Sequence, residues 1–155
     1  MDKVDVVIAG AGIAGCMAAR DLAANGHSVL VVDRKKKPEH LGHDWWDAIT
    51  SVVFDDVGMP QPEPPEKMQH VEKTFMYPPL ETMSFEMEDP PEKLHVDRRH
   101  LAARQLKYAL DAGARVEFGL AVEGPVMEDD GRVAGIVVSD GEGNEKKIEA
   151  RLTID

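Results

Sequence analysis

The segment of this sequence whose residue types and spacing can do specific chemistry is Gly10-Ala11-Gly12-Ile13-Ala14-Gly15. It follows a β-branched apolar run, Val4 to Ala9, and opens a stretch with alanine, leucine and methionine at helical spacing, Ile13 to Asn25. Glycine at position 10 allows a tight turn. At position 12 it lets a pyrophosphate approach the backbone at a helix N-terminus, and at position 15 it lets helix and strand pack closely. Eighteen residues after Gly15, Asp33 ends the next apolar run. Its carboxylate can accept hydrogen bonds from a ribose hydroxyl and repels a 2′-phosphate, which disfavours NADP. Gly10, Gly12, Ile13, Ala14, Gly15 and Asp33 are therefore the candidate dinucleotide-binding residues. A glycine-rich turn with no ligand is the competing reading, and the preceding strand, following helix and acid at the expected distance weigh against it. The motif by itself fits FAD and NAD equally.

The elements that must position these residues form a βαβ unit. Val4 to Ala9 and Val29 to Asp33 look like parallel strands buried on both faces, with Gly26 at the helix C-terminus between them. From Lys35 the character changes, because Lys35-Lys36-Lys37-Pro38 is a solvated turn and residues 60 to 91 hold eight of the ten prolines. Within that stretch Lys73 to Tyr77 and Thr82 to Glu88 alternate as two strands of a hairpin, part of an excursion over residues 60–95. Asp97 opens a second long helix, closed by Gly113, and Arg115 to Phe118 is a third core strand. Val126 to Glu128, Val133 to Ser139 and Lys146 to Ala150, separated by Asp130-Gly131 and Asp140 to Asn144, make an antiparallel meander. Leu152 to Ile154 begins a further apolar strand.

Composition narrows the class of protein. At 155 residues, 43% hydrophobic and 30% charged, the chain has material for one core. Eighteen basic residues against 29 acidic ones give a formal charge of -11, which repels phosphate backbones and anionic lipid and excludes nucleic acid as a natural partner. The single cysteine, Cys16, excludes an intrachain disulfide and a cysteine-based zinc cluster, and suits a reducing, cytoplasmic setting. The first apolar run is too short to span a membrane and lacks the marks of a secretory signal.

The run VDVVIAGAGIAGCMAARDLAANGHSVLVVDR resembles the N-terminal FAD-binding signature of the glutathione-reductase superfamily, closest to the flavoprotein monooxygenase and geranylgeranyl-reductase group. Ala19, Leu22, Gly26, Val29 and the pair Asp33-Arg34 match it; most of the family carries glutamate where this chain has Asp33. VDRRHLAARQLKYALDAGARVEF, from Val96 to Phe118, resembles a second family segment. That match implies that Arg98 reaches the FAD pyrophosphate, a task suited to a planar guanidinium. Arg99 matches less well, and an Arg98 paired with surface acid is the alternative. By the same resemblance Val122 offers backbone groups to adenine, and the meander is the crossover sheet that the family uses between its third and fourth strands.

The resemblance implies an α/β fold, a Rossmann-like three-layer FAD-binding domain with a parallel sheet, helices on one side and an antiparallel meander crossover on the other. It covers residues 1–155 but corresponds to only the N-terminal portion of a family member, whose later motifs and substrate domain are absent. The implied cofactor is FAD; a small-molecule substrate belongs to the parent protein, and this chain alone is expected to turn nothing over. The open end of the sheet and the hairpin suggest self-association. Catalytic residues are unassigned. His40, His43, Asp44 and Asp47 have metal-ligating chemistry, but no cysteine or third cluster supports them, so no metal site is assigned. Trp45, Trp46 and the eight scattered methionines are expected to pack. Two rivals remain open. A nicotinamide dehydrogenase fragment would place a helix after Phe118, and a non-catalytic nucleotide-binding module would close its sheet before the chain ends.

Overall fold

Val4, Val6, Val7 and Ile8 are buried on both faces of the first strand, the pattern of a central parallel strand rather than a half-solvated one. The computed structural model describes residues 2–42, 46–70, 73–79, 83–88 and 93–155, and the chain divides into two units, residues 1–42 with 102–155 and residues 43–101.

In the first unit, β1 (Asp2–Ala9), α1 (Ile13–Ala24) and β2 (Val29–Asp33) make the expected βαβ, and β8 (Arg115–Phe118) follows α3 (Arg98–Asp111), whose residues from Ala102 onward belong to this unit. Strands β1, β2 and β8 are parallel, in register Val6 to Val29 and Leu30 to Arg115. Helix α1 stops because Gly26 takes φ +85°, and the N–H groups of Gly26 and His27 return to the carbonyls of Ala23 and Leu22 at 2.9 and 3.2 Å. Helix α3 ends the same way at Gly113, φ +98°. Strands β9 (Ala121–Met127), β10 (Val133–Ser139) and β11 (Glu145–Ile154) complete a six-stranded sheet in the order β8-β2-β1-β11-β10-β9.

Two expectations need correction. The first meander strand is Ala121–Met127 rather than Val126 to Glu128. Lys146 to Ala150 and Leu152 to Ile154 are one ten-residue strand, β11, antiparallel to β10 along Glu145–Glu149 and parallel to β1 from Ile148 to Ile154. Arg151 breaks the apolar run in the sequence, but an outward-pointing side chain does not interrupt a backbone ladder.

The sheet has a core on each face. Val6, Ile8, Val29 and Val31 pack with Cys16 and Ala19 of α1 and Ala102, Leu106 and Ala109 of α3. On the other face Val7, Leu30 and Val32 meet Ile136 and Val138 of β10 and Ile148 of β11, so the meander supplies the third layer while remaining bonded into the same sheet. Gly135 permits that curl. It adopts φ +141°, and a Cβ there would lie 2.0 Å from the carbonyl oxygen of Ile148. Midway along β1, Asp5 and Ser28 clamp the entry of β2. The Asp5 carboxylate accepts the Ser28 N–H and hydroxyl at 2.9 and 2.7 Å, and the Ser28 oxygen accepts the Asp5 N–H at 2.8 Å.

In the second unit, β3 (Trp46–Thr50), β4 (Lys67–His70) and β7 (Lys93–Asp97) form an antiparallel sheet in the order β3-β7-β4, with the short α2 (Val52–Asp56) between β3 and β4 in sequence. The hairpin is present as β5 (Lys73–Met76) and β6 (Phe85–Glu88), paired from Lys73–Glu88 to Met76–Phe85; Thr82 lies outside the described residues. The packing role expected for the methionines is corrected: Met59 is buried, whereas Met68, Met76, Met83, Met87 and Met127 are exposed. Trp46 stacks on His95, centroids 4.1 Å apart, yet remains 47% exposed, and Trp45 lies outside the described residues.

Two outcomes follow. Gly135→Ala should destabilise the chain by roughly 2–3 kcal/mol, because strain at a positive φ adds to overpacking against a fixed carbonyl; urea unfolding measures it. Ser28 holds the Asp5 carboxyl below the usual carboxylate range through its hydroxyl and its N–H. A depressed folded-state pKa means that this stabilisation is complete above the ordinary value of about 3.9 and lost as pH falls through the folded one. Thermal melts across pH should therefore show Ser28→Ala less stable than the parent at neutral pH, with the gap closing in acid.

Candidate functional site

The glycine turn is built by two constraints. Gly10 takes φ +101° and its N–H bonds the Val32 carbonyl at 2.7 Å, which ties the end of β1 to β2. Gly15 faces the strand so closely that a Cβ would sit 2.0 Å from the Gly10 carbonyl oxygen and 3.4 Å from Ile8 Cγ2. Position 12 is different, since a Cβ there would meet nothing within 4 Å. Among the described residues its glycine answers to no neighbour and leaves open space over the turn.

That space lies at the N-terminus of α1. The first intrahelical bond runs from the Cys16 N–H to the Gly12 carbonyl, 2.9 Å, so the N–H groups of Ile13, Ala14 and Gly15 precede the helix ladder. No side chain caps this end and no acid occupies the first turn. Three uncapped N–H groups and the positive pole of the helix suit an anionic oxygen cluster such as a pyrophosphate. Cys16, the neighbouring residue, is not part of this chemistry. Burial, with the Asp33 charge nearby, pushes its thiol up to about 11, and Sγ sits 3.3 Å from the Ala11 carbonyl oxygen, to which the thiol donates.

Asp33 is joined to the turn directly. One carboxylate oxygen accepts the Ala11 N–H and the other accepts the Lys35 N–H, both at 2.8 Å. The segment after β8 is brought to the same place, because the Gly119 and Leu120 N–H groups bond the carbonyls of Lys35 and Asp33 at 2.8 and 3.0 Å. Strand β9 therefore starts beside Asp33. Its register against β10 shifts between Val122 and Gly124, a bulge that takes a β9 residue out of the ladder next to Val122. The structure thus gathers Gly10 to Gly15, Asp33 and the start of β9 at the carboxyl edge of the parallel strands, where ligands of open α/β sheets bind. Arg34 is exposed beside Asp33.

Arg98 lies in the second unit, at the first position of α3, where its guanidinium is paired with the Asp47 carboxylate. Arg99 is held elsewhere, forked onto Asp97 through Nε–Oδ1 at 3.1 Å and Nη2–Oδ2 at 2.7 Å. Asp97 also accepts the Arg99 N–H at 2.8 Å as the helix cap, and the Arg99 guanidinium beside it holds its carboxyl well below the usual range. Sequence reasoning missed the use of Asp47 as an ion-pair partner, since β3 and β7 meet only through long-range pairing. Among the described residues no group of three or more histidine, cysteine or carboxylate side chains could hold a metal ion; His43 and Asp44 lie outside them. No helix among the described residues is long and apolar enough to cross a membrane.

After Phe118 the chain enters β9 rather than a helix, the feature that separates a flavoprotein crossover from a nicotinamide dehydrogenase. Comparison with known proteins agrees. Residues 5–47 match the family described as FAD dependent oxidoreductase. A digeranylgeranylglycerophospholipid reductase of Sulfolobus acidocaldarius is 30% identical over 151 residues, covering 93% of this chain and 31% of the relative. A thiamine thiazole synthase of Thermotoga maritima is 31% identical over 139 residues, covering 90% of this chain and 48% of the relative. Among solved structures, a geranylgeranyl bacteriochlorophyll reductase-like protein of Thermoplasma acidophilum superposes with a TM-score of 0.81 at 18% identity, over 99% of this chain and 38% of that one. The chain thus spans about a third to a half of the length of these proteins. The fold is the Rossmann-like α/β fold of FAD-binding proteins, and FAD is the cofactor that its first βαβ unit is built to take.

Proposed function

We propose that this chain is the adenosine- and pyrophosphate-binding N-terminal portion of an FAD-dependent oxidoreductase of the glutathione-reductase superfamily, of the flavoprotein monooxygenase and geranylgeranyl-reductase group. The observation that carries the reading is the open position over Gly12, with uncapped N–H groups at the start of α1 and Asp33 bonded to Ala11 beside it. In this reading Gly12, Ile13, Ala14 and Gly15 hold the pyrophosphate through backbone N–H groups, with Gly10 shaping the turn. Asp33 accepts a ribose hydroxyl, and Arg34 stands next to the adenosine. Val122 offers backbone groups to adenine, supported by the bulge at its side. Arg98 reaches the pyrophosphate by exchanging Asp47 for a phosphate oxygen.

Bound FAD would supply the redox chemistry, and the residues of this chain bind and orient its adenosine half. The relatives include one named for reducing a digeranylgeranyl phospholipid and one named for making a thiazole. What they share with this chain is the cofactor-binding portion, so a polyprenyl lipid as substrate of the parent rests on the nearness of the reductases alone.

Titration of the purified chain with FAD, followed by flavin fluorescence, tests the reading. Contacts to half of the cofactor should give roughly micromolar affinity, because a fixed association cost is subtracted from fewer contacts. NAD binding more tightly than FAD would instead establish the nicotinamide rival. Asp33→Ala should weaken FAD binding by roughly 1.5–3 kcal/mol, the worth of a hydrogen bond to a charged group. The Arg98–Asp47 pair yields a prediction of opposite signs. Arg98→Ala should weaken FAD binding, while Asp47→Ala should strengthen it by releasing the guanidinium. Weakening by both would make the pair a structural one.

A further inference from the structure

Two arginines stand side by side at the start of α3, and the structure treats them differently. Arg98 is the first residue of the helix and Arg99 the second. Asp97, the last residue of β7, caps the helix by accepting the Arg99 N–H at 2.8 Å. That bond turns its carboxylate over the second helical position. The Arg99 side chain folds back onto it, with Nε 3.1 Å from Oδ1 and Nη2 2.7 Å from Oδ2. One carboxylate thus accepts three N–H groups of a single residue, and His100 Nδ1 stands 3.5 Å from Oδ2. The Asp97 side chain is only 9% exposed, and its own N–H is tied to the Glu66 carbonyl at 2.9 Å.

Arg98 is held more loosely. Successive side chains on a helix point about 100° apart, so Arg98 turns away from Asp97 and meets β3, where Asp47 is paired with Val96 of β7. Its guanidinium Nη1 contacts Asp47 Oδ2, and the two side chains are 36% and 42% exposed. A half-exposed ion pair exchanges readily with other ions, whereas a forked pair on a nearly buried carboxylate does not. Exposure alone would rank the two arginines the other way, because the Arg99 side chain is 54% exposed. We propose that Asp97 is a positioning residue that withholds Arg99 and leaves Arg98 as the guanidinium able to exchange its carboxylate for phosphate. The proposal rests on the reading in which Arg98 binds the FAD pyrophosphate, and it gives that reading its selectivity. Adjacent arginines have the same chemistry, and the carboxylate before them is what tells them apart. Without its charge Arg99 would be released, and both side chains would compete for Asp47 and for phosphate.

Phenylglyoxal, a dicarbonyl that attacks accessible guanidinium groups, should modify Arg98 about tenfold faster than Arg99 in the unsubstituted chain, read by peptide mass spectrometry. Asp97→Asn, or Asp97→Ser as a second capping replacement, keeps the cap and removes the charge that holds the fork. In either variant the two rates should come within about threefold of each other. FAD titration supplies the second readout. Arg98→Ala should weaken binding about tenfold in the unsubstituted chain but less than about threefold beside Asp97→Asn, where Arg99 takes its place. A merely structural Asp97 would lower the melting temperature and leave both ratios where they were. The proposal is overturned if Arg99 reacts as fast as Arg98 in the unsubstituted chain. It is overturned equally by ratios that do not move in variants shown by circular dichroism to be folded. The expected order of modification, with FAD affinity unaffected by Arg98→Ala, overturns the pyrophosphate reading instead, and the proposal falls with it.

Discussion

A Cβ on residue 15 would lie 2.0 Å from the carbonyl oxygen of Gly10, so the first turn of α1 can rest on the end of β1 only because that atom is missing. The consequences of this close approach spread outward. It aims the N-terminus of α1 over the carboxyl edge of the sheet and lets Cys16 and Ala19 reach the face made by Val6, Ile8, Val29 and Val31. It also sets the return of β2 so that Asp33 ends level with Ala11 and closes the turn through its carboxylate. A larger residue would lift the helix, and the first core cluster, the turn and the uncapped N–H groups would be lost together.

Strand β11 carries the second constraint, because it must belong to two kinds of sheet at once. Its fourth residue, Ile148, pairs with Asp2 on one side and Ile136 on the other. Parallel neighbours usually demand a long crossover, and here the meander is that crossover, returning the chain to the middle of the sheet while covering the face opposite the helices. The cost is the split at Gly135. A strand bonded to β10 along its whole length could not let β9 and β10 curl under Val7, Leu30 and Val32, so the third layer and the end of the β10 ladder at Glu149 have one origin.

How much of this could be read from the sequence depended on how local the signal was. β1, α1, β2, α3 and β8 follow from runs of β-branched residues, from glycines at 26 and 113 that need positive φ, and from Asp97 as a cap. All of these act within a few residues. The sheet β3-β7-β4 was not legible, since it joins Trp46 to Asp97 across fifty-one residues and its short strands carry no strong alternation. Nor was the unity of β11, where the charged Arg151 looked like an end. The exposed methionines had no local signature either, because burial is decided by what lies opposite in space. At the candidate site, the glycines and Asp33 stood out by spacing, whereas the Arg98–Asp47 pair is a product of the β3–β7 pairing.

Asp33 illustrates why a conservative change at such a site is not neutral. A glutamate, common at this position in the resembling family, carries its carboxylate one methylene farther from the backbone. The aspartate holds its own closer, and both oxygens already accept backbone N–H groups, from Ala11 and Lys35. Each oxygen keeps a second lone pair, so a ribose hydroxyl can still donate to it. The shorter side chain therefore makes the acid part of the turn before any ligand arrives. The entropy of ordering residues 10–12 is then met in folding rather than in binding, which offsets the lost reach through preorganisation.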